Sequence, residues 1–168
     1  MTSIDIKKTF SLYSGKRVFV TGHTGFKGTW LSIFLNMLNA KIYGYSLKPE
    51  RLSLFNQTRT FEFCKKNFYS DINNLKKIKK KLSQSKPEII FHLAAQPLVS
   101  ESYSDPVNTF NTNILGTVNL LEAARNIKSI KSIVIITTDK VYKINNSNKS
   151  YVENDEIGGN DPYSASKA

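Results

Sequence analysis

Apolar residues in this chain gather in short runs rich in β-branched and aromatic side chains, separated by segments whose apolar positions recur every three or four residues. Arg17-Val18-Phe19-Val20-Thr21 reads as a first strand. A glycine-rich turn follows, and Trp30, Leu31, Phe34, Leu35 and Leu38 then mark one face of a helix. Residues 41–45 read as a second strand, and residues 47–62 as a polar loop with room for a helical turn. Asn67-Phe68-Tyr69 forms a weak third strand ending at Ser70-Asp71. Leu75, Ile78 and Leu82 lie at helical spacing among Lys76, Lys77, Lys79, Lys80 and Lys81, which predicts an amphipathic helix with a solvated lysine face. Pro87 breaks the chain before residues 88–94, a continuous apolar run suited to a strand buried on both faces. Asp105 and Pro106 open a further helix as N-cap and first helical residue, continuing to about residue 127. Residues 132–137 are a fifth strand of β-branched character, and residues 143–160, rich in Asn, Ser and Gly, read as a loop.

Strands alternating with helices predict an α/β fold, a doubly wound parallel sheet ordered 3-2-1-4-5. The 168 residues, 40% hydrophobic, suit one domain over residues 16–168 behind a short lead-in at 1–15. No apolar stretch approaches the roughly 20 residues of a membrane span, and the N-terminal residues lack the pattern of a secretion signal, so the expectation is a cytoplasmic protein with no membrane partner. Cys64 has no second cysteine to pair with and no companion at metal-ligand spacing, and is read as a packing residue; no metal is expected. The net charge of +11 raises the question of nucleic acid. The charge is scattered, however, and no aromatic residues interleave with the lysines to stack bases, so no nucleic-acid partner is expected. A general basic field favours an anionic nucleotide ligand instead.

The turn between first strand and first helix, Gly22-His23-Thr24-Gly25-Phe26-Lys27-Gly28, is placed where backbone N–H groups and the positive end of a helix meet a pyrophosphate. Gly22, Gly25 and Gly28 supply the room, Thr24 and Phe26 lie between them, and Ala94-Ala95 allow close approach after the fourth strand. Tyr163 and Lys167 are four residues apart and share a helix face, so that the ammonium favours a phenolate able to take an alcohol proton.

These motifs, with His92-Leu93-Ala94-Ala95-Gln96, Asn113-Ile114-Leu115-Gly116-Thr117 and Tyr163-Ser164-Ala165-Ser166-Lys167 in order, resemble the extended branch of the short-chain dehydrogenase/reductase superfamily over residues 16–168. The resemblance implies a Rossmann-type domain binding NAD(P) through Gly22, Thr24, Gly25, Phe26, Gly28, Ala94, Ala95, Gln96, Tyr163 and Lys167, with Asp71 and Ile72 meeting the adenine. One departure concerns the ribose: the acidic residue usual at the end of the second strand is absent, and Tyr45-Ser46-Leu47-Lys48 stands there. Lys48 and Arg51 suit a 2′-phosphate, whereas the resemblance favours NAD, so NADP stays open.

Thr138-Asp139-Lys140-Val141-Tyr142 narrows the resemblance to nucleotide-sugar 4,6-dehydratases, and its Asp-Lys form, together with Gly158-Gly159-Asn160-Asp161-Pro162-Tyr163, is similar to the CDP-glucose 4,6-dehydratase family. Thr138 would then hold the sugar hydroxyl and Asn113 support the helix or a water chain. Tyr163 would take the C4 hydroxyl proton as hydride passes to NAD, Lys140 in its neutral form remove the C5 proton, and Asp139 protonate the departing C6 hydroxyl before hydride returns to C6. A lysine base requires a depressed pKa, which partial burial beside other positive charge can provide. An epimerase or reductase of the same branch and a non-catalytic dinucleotide-binding fragment remain as alternatives. Only Ala168 follows Lys167, so the expectation is an N-terminal portion with a frayed last helix and an open edge at the fifth strand, its substrate a nucleotide sugar and its assembly a homodimer in the complete chain.

Overall fold

The structure, a computed structural model, describes residues 11–144 and 150–168. Residues 1–10 of the expected lead-in and 145–149 of the expected loop lie outside the described residues. Five parallel strands, β1 (Arg17–Thr21), β2 (Lys41–Ser46), β3 (Cys64–Tyr69), β4 (Ile89–His92) and β5 (Ser132–Ile135), form one sheet in the order β3-β2-β1-β4-β5, as the alternating pattern predicts. The register sets Thr21 at the end of β1 beside both Tyr45 of β2 and His92 of β4, so the C-terminal ends of the three central strands align.

Both faces of β1 are buried. Val18 and Val20 pack with Leu35 and Ile42 on one side, while Phe19 joins Tyr45, Ile78, Leu82, Ile90 and Leu120 on the other. The first helix, α1 (Phe26–Met37), covers the former side. A four-residue helix, α2 (Leu54–Gln57), and a 3-10 turn at Thr60–Glu62 occupy the polar loop before β3. The lysine-rich helix α3 (Leu75–Ser85) buries Ile78 and Leu82 and is capped by Asn74, which accepts the Lys77 N–H, so its predicted amphipathic face is the one observed.

Four features differ from the sequence reading. In α1, Trp30 and Phe34 are 53% and 49% exposed; the buried positions are Leu35 together with Gly28, Thr29 and Ser32, three small residues that let the helix lie close to the sheet. β3 begins three residues earlier than expected, its lysines exposed at the sheet edge, where a charged strand discourages further pairing. A short helix, α4 (Val99–Ser104), precedes the capped one, its serine-rich sequence lacking an apolar period. The helix begun by Asp105 and Pro106 runs as α5 (Pro106–Phe110), a π-helical turn (Asn111–Leu115) and α6 (Gly116–Ala124), Asp105 accepting the Asn108 N–H. β5 lies at the other sheet edge with Val134 and Ile135 exposed. After a 3-10 turn at Asp139–Val141, the last helix, α7 (Pro162–Lys167), packs against that turn, α4 and α5.

Candidate functional site

A cleft of ≈ 780 Å³ opens at the C-terminal ends of the strands. In a doubly wound sheet this is the crevice where neighbouring connections diverge to opposite faces. Gly22, Thr24, Gly25, Phe26, Gly28, Asp71, Ile72, Ala94, Ala95, Gln96, Tyr163 and Lys167 all line it, residues drawn from four separate segments of the sequence.

The loop after β1 is shaped by what its glycines leave out. Gly22 has φ +71°, and a Cβ there would also stand 2.7 Å from the Ala94 N, in the backbone just beyond β4. A Cβ on Gly28 would stand 2.1 Å from the Gly22 carbonyl oxygen, so the first turn of α1 can rest on the loop only without a side chain at residue 28. Gly25 caps α1 in extended conformation without a side-chain acceptor, which leaves the early amides of a twelve-residue helix directed toward ligand or solvent. No carboxylate sits in the first turn, and Lys27 joins the cleft wall, so this end of the cleft is electropositive. A cradle of bare glycine backbone at a helix N-terminus fits a dinucleotide pyrophosphate.

Away from the loop, Thr24 Oγ1 shares a 2.7 Å hydrogen bond with Ser46 Oγ, and the Tyr45 hydroxyl donates to the Asp71 carbonyl at 2.9 Å. These bonds tie the ends of β2 and β3 into the wall. Glu50 reaches the cleft there, whereas Lys48 and Arg51 do not line it. A carboxylate suits a ribose 2′-hydroxyl and repels a 2′-phosphate, so the basic pair singled out in the sequence is not what the cleft presents. Glu50 gave no sequence signal because it lies in an irregular loop four residues beyond β2.

At the opposite end, Asp161 caps α7 by accepting the Ser164 N–H at 2.9 Å and the Ser164 hydroxyl at 2.6 Å. The Ser164 hydroxyl, then its N–H and the Lys140 charge, hold that carboxyl below its ordinary pKa. Lys167 turns inward and its Nζ donates to the Ile136 carbonyl at 3.4 Å. Burial, reinforced by the Lys27 charge, lowers the Lys167 pKa from its usual value. Asn113 is buried in the π-helical turn: its Oδ1 accepts the Gln96 N–H at 2.9 Å, and its Nδ2 donates to the Gln96 carbonyl at 3.2 Å and to Ser166 Oγ at 2.8 Å. Asn113 therefore lies behind the cleft wall, between the segment that leaves β4 for Gln96 and the helix of Tyr163.

Thr138, Asp139 and Lys140 do not line the cleft; Thr137 and Ile136 take that place. Thr138 caps the 3-10 turn and its hydroxyl donates to Asp139 Oδ1 at 3.0 Å. The burial expected of a lysine base is absent: Lys140 is exposed, as is Asp139. Further lining residues without a sequence signal are Glu101 of α4 and Asn108 of α5, which the serine-rich and capping segments carry to the cleft. Cys64 packs beside the cluster of Val18, Val20, Leu35 and Ile42, and burial pushes its thiol up to about 12. Among the described residues no helix is long and apolar enough to cross a membrane, and no group of three or more His, Cys, Asp or Glu side chains is placed to hold a metal.

The fold is the Rossmann-type α/β sheet, and the chain belongs to the GDP-mannose 4,6 dehydratase family, whose sequence profile matches residues 19–168. It is 47% identical to CDP-glucose 4,6-dehydratase of Salmonella typhimurium over 163 residues, 96% of this chain and 45% of that protein. Among solved structures it is similar to UDP-glucose 4-epimerase of Thermus thermophilus in complex with NAD, with 27% identity, a TM-score of 0.77, and coverage of 90% of this chain and 47% of that one. Epimerase Mth375 of Methanothermobacter thermautotrophicus shares the fold, with a TM-score of 0.80 at 24% identity over 99% of this chain and 48% of that one. The chain spans about half the length of the curated relatives it matches.

Proposed function

We propose that this chain supplies the cofactor-binding part of a nucleotide-sugar 4,6-dehydratase acting on CDP-glucose with NAD. The observation that carries the reading is the convergence of the glycine loop, Asp71-Ile72, Ala94-Ala95-Gln96 and Tyr163-Lys167 on one cleft. The glycine cradle and electropositive first turn of α1 hold the pyrophosphate, Asp71 and Ile72 flank the adenine, and Glu50 selects NAD over NADP. Bound there, NAD supplies a reversible hydride acceptor. Tyr163 takes the sugar C4 hydroxyl proton, the Lys167 ammonium on the same helix face favouring the phenolate. The Thr138-Asp139-Lys140 motif supports Asp139 as donor of a proton to the departing C6 hydroxyl and Lys140 as acceptor of the C5 proton. Both are exposed on the 3-10 turn beside the cleft, so the role requires that turn to close onto the bound sugar. Hydride returns from the cofactor to C6 with a proton to C5, leaving a net loss of one water. CDP as the nucleotide is supported by the 47% identity to the Salmonella enzyme.

A second reading has its own support in the exposure of Lys140: C4 oxidation without water loss, as an epimerase or reductase requires. Incubation of the chain with NAD and CDP-glucose, followed by mass spectrometry of the sugar nucleotide, separates the two. A product lighter by one water supports the dehydratase; epimer formation at unchanged mass supports the second reading, and no conversion with intact NAD binding supports a binding fragment.

We also propose a cytoplasmic homodimer for the complete protein. Val107, Phe110, Ile114, Val118 and Leu121 recur at helical spacing along α5, the π-helical turn and α6, and all are exposed, which supports a helix-on-helix contact with a second copy.

A further inference from the structure

His92 at the end of β4 has almost no access to solvent, and its two ring nitrogens meet Thr21 Oγ1 at 2.6 Å and Thr117 Oγ1 at 3.0 Å. The surrounding hydrogen bonds settle which nitrogen carries the proton. Thr21 Oγ1 already accepts the Leu93 and Ala94 N–H groups, each at 3.1 Å, so its own hydrogen is directed at His92 Nδ1. Thr117 Oγ1 gives its hydrogen to the Asn113 carbonyl at 2.6 Å, a carbonyl in the π-helical turn, and so accepts from His92 Nε2–H. Reversing the ring would leave Thr21 Oγ1 with three incoming donors and its own hydrogen without an acceptor.

We propose that His92, held as the Nε2–H tautomer between Thr21 and Thr117, is a positioning residue that couples the phosphate loop to the helix carrying Tyr163 and Lys167. Thr21 directly precedes Gly22, so one end of the path is the phosphate loop. Through Thr117 it reaches Asn113, whose amide grips both backbone groups of Gln96 and the Ser166 hydroxyl. Ser166 in turn donates to the Tyr163 carbonyl at 2.7 Å. Each bond has one direction, so the path holds a single relative placement of loop, cleft wall and helix rather than several near-equal ones. His92 itself touches neither cofactor nor substrate; it acts through Asn113 and the strand ends.

The inference rests on the reading of the cleft as a dinucleotide site, and the test separates the two. Nitrogen NMR of the imidazoles in the full chain at neutral pH, with His92 told apart from His23 by the variant His23→Gln, is expected to show a single Nε2–H tautomer for His92. An Nδ1–H form or a mixture would overturn the proposal. Thr117→Val, which removes the acceptor at constant shape, is expected to weaken NAD binding about tenfold and to move the His92 signals, while Thr117→Ser holds both within about twofold. Ser166→Ala cuts the path at its far end by the loss of one oxygen and is expected to weaken NAD about threefold with the His92 signals in place; should Thr117→Val fail to fold, this variant decides. Unchanged NAD affinity in the folded variants would overturn the role. Failure of the unaltered chain to bind NAD would overturn the dinucleotide reading first, before any variant is compared.

Discussion

The His23 ring fills the space that a side chain would need on Gly44: a Cβ there would stand 2.2 Å from His23 Cδ2. The bare second strand is thus the seat of a phosphate-loop residue. His23 is fully buried, its Nε2 bonded to Asn67 Oδ1 at 3.1 Å, its ring edge-on to Phe55 and stacked on Tyr69. Gly44→Ala should displace the ring and, with it, the loop between Gly22 and Gly25. The expected result is destabilisation by about 1–3 kcal/mol in urea unfolding and NAD binding weakened about tenfold by calorimetry. His23→Ala in the Gly44→Ala background should recover part of the stability, since the two side chains compete for one volume. Additive losses in the double variant would contradict the contact.

Glu50 makes a second prediction at the ribose end of the cleft. Glu50→Ala should weaken NAD while strengthening NADP, narrowing the preference between them by about tenfold, because the carboxylate both accepts from a 2′-hydroxyl and repels a 2′-phosphate. Lys48→Ala and Arg51→Ala should change neither affinity beyond about twofold. Titration of both cofactors against the three variants checks this. A preference that follows Arg51 instead would return the choice to the basic pair.

The sheet order and the phosphate loop were legible because each rests on a strong local signal, a β-branched run or a glycine triplet in fixed context. The inner face of α1 was not. Apolar periodicity points to Trp30 and Phe34, yet Gly28, Thr29 and Ser32 face the sheet, and small residues carry no hydrophobic signal. Glu50 and Glu101 were hidden for a related reason: their places are set by an irregular loop and a serine-rich helix, neither with a period. The Asp139-Lys140 pair was read from motif alone, and no spacing rule reports that both side chains are exposed. His92 stood in the sequence as part of a motif; its role as a junction depends on Thr21, which the parallel register sets beside it, and on Thr117, which α6 carries to it.

Burial drives both histidines down to about 4, in His92 with help from the Lys167 charge. In the unfolded chain each titrates near 6.5. Between these values the unfolded state binds more protons than the folded one, so stability falls as pH falls from about 6.5 and levels off below about 4. At neutral pH both forms are neutral and the effect vanishes. Each histidine costs up to ~3 kcal/mol at the low end of that window. Urea unfolding at pH 7.5, 5.5 and 4.5 should show this decline, smaller in His23→Gln. A stability independent of pH between 7.5 and 5 would show that the rings take up protons in the folded state as readily as in the unfolded chain.

Tyr163 and Lys140 should fail at different steps. Tyr163 lines the cleft, on the helix that Asp161 caps, and its replacement by Phe removes the group that takes the C4 proton. Tyr163→Phe should therefore slow every step that begins with C4 oxidation by roughly 10²–10⁴-fold with NAD affinity little changed. Lys140 lies on the 3-10 turn outside the cleft lining, and Lys140→Met should leave C4 oxidation intact while water loss falls by on the order of 10²-fold. A protein that forms 4-keto sugar without losing water is the signature of that block, seen as NADH absorbance rising without a product lighter by one water. If Lys140→Met instead loses water at the unaltered rate, the exposed lysine is a bystander, and Asp139 with a cleft residue such as Glu101 must carry the elimination. Asp139→Asn then becomes the informative variant, because a proton donor to the C6 oxygen is needed whichever group takes the C5 proton.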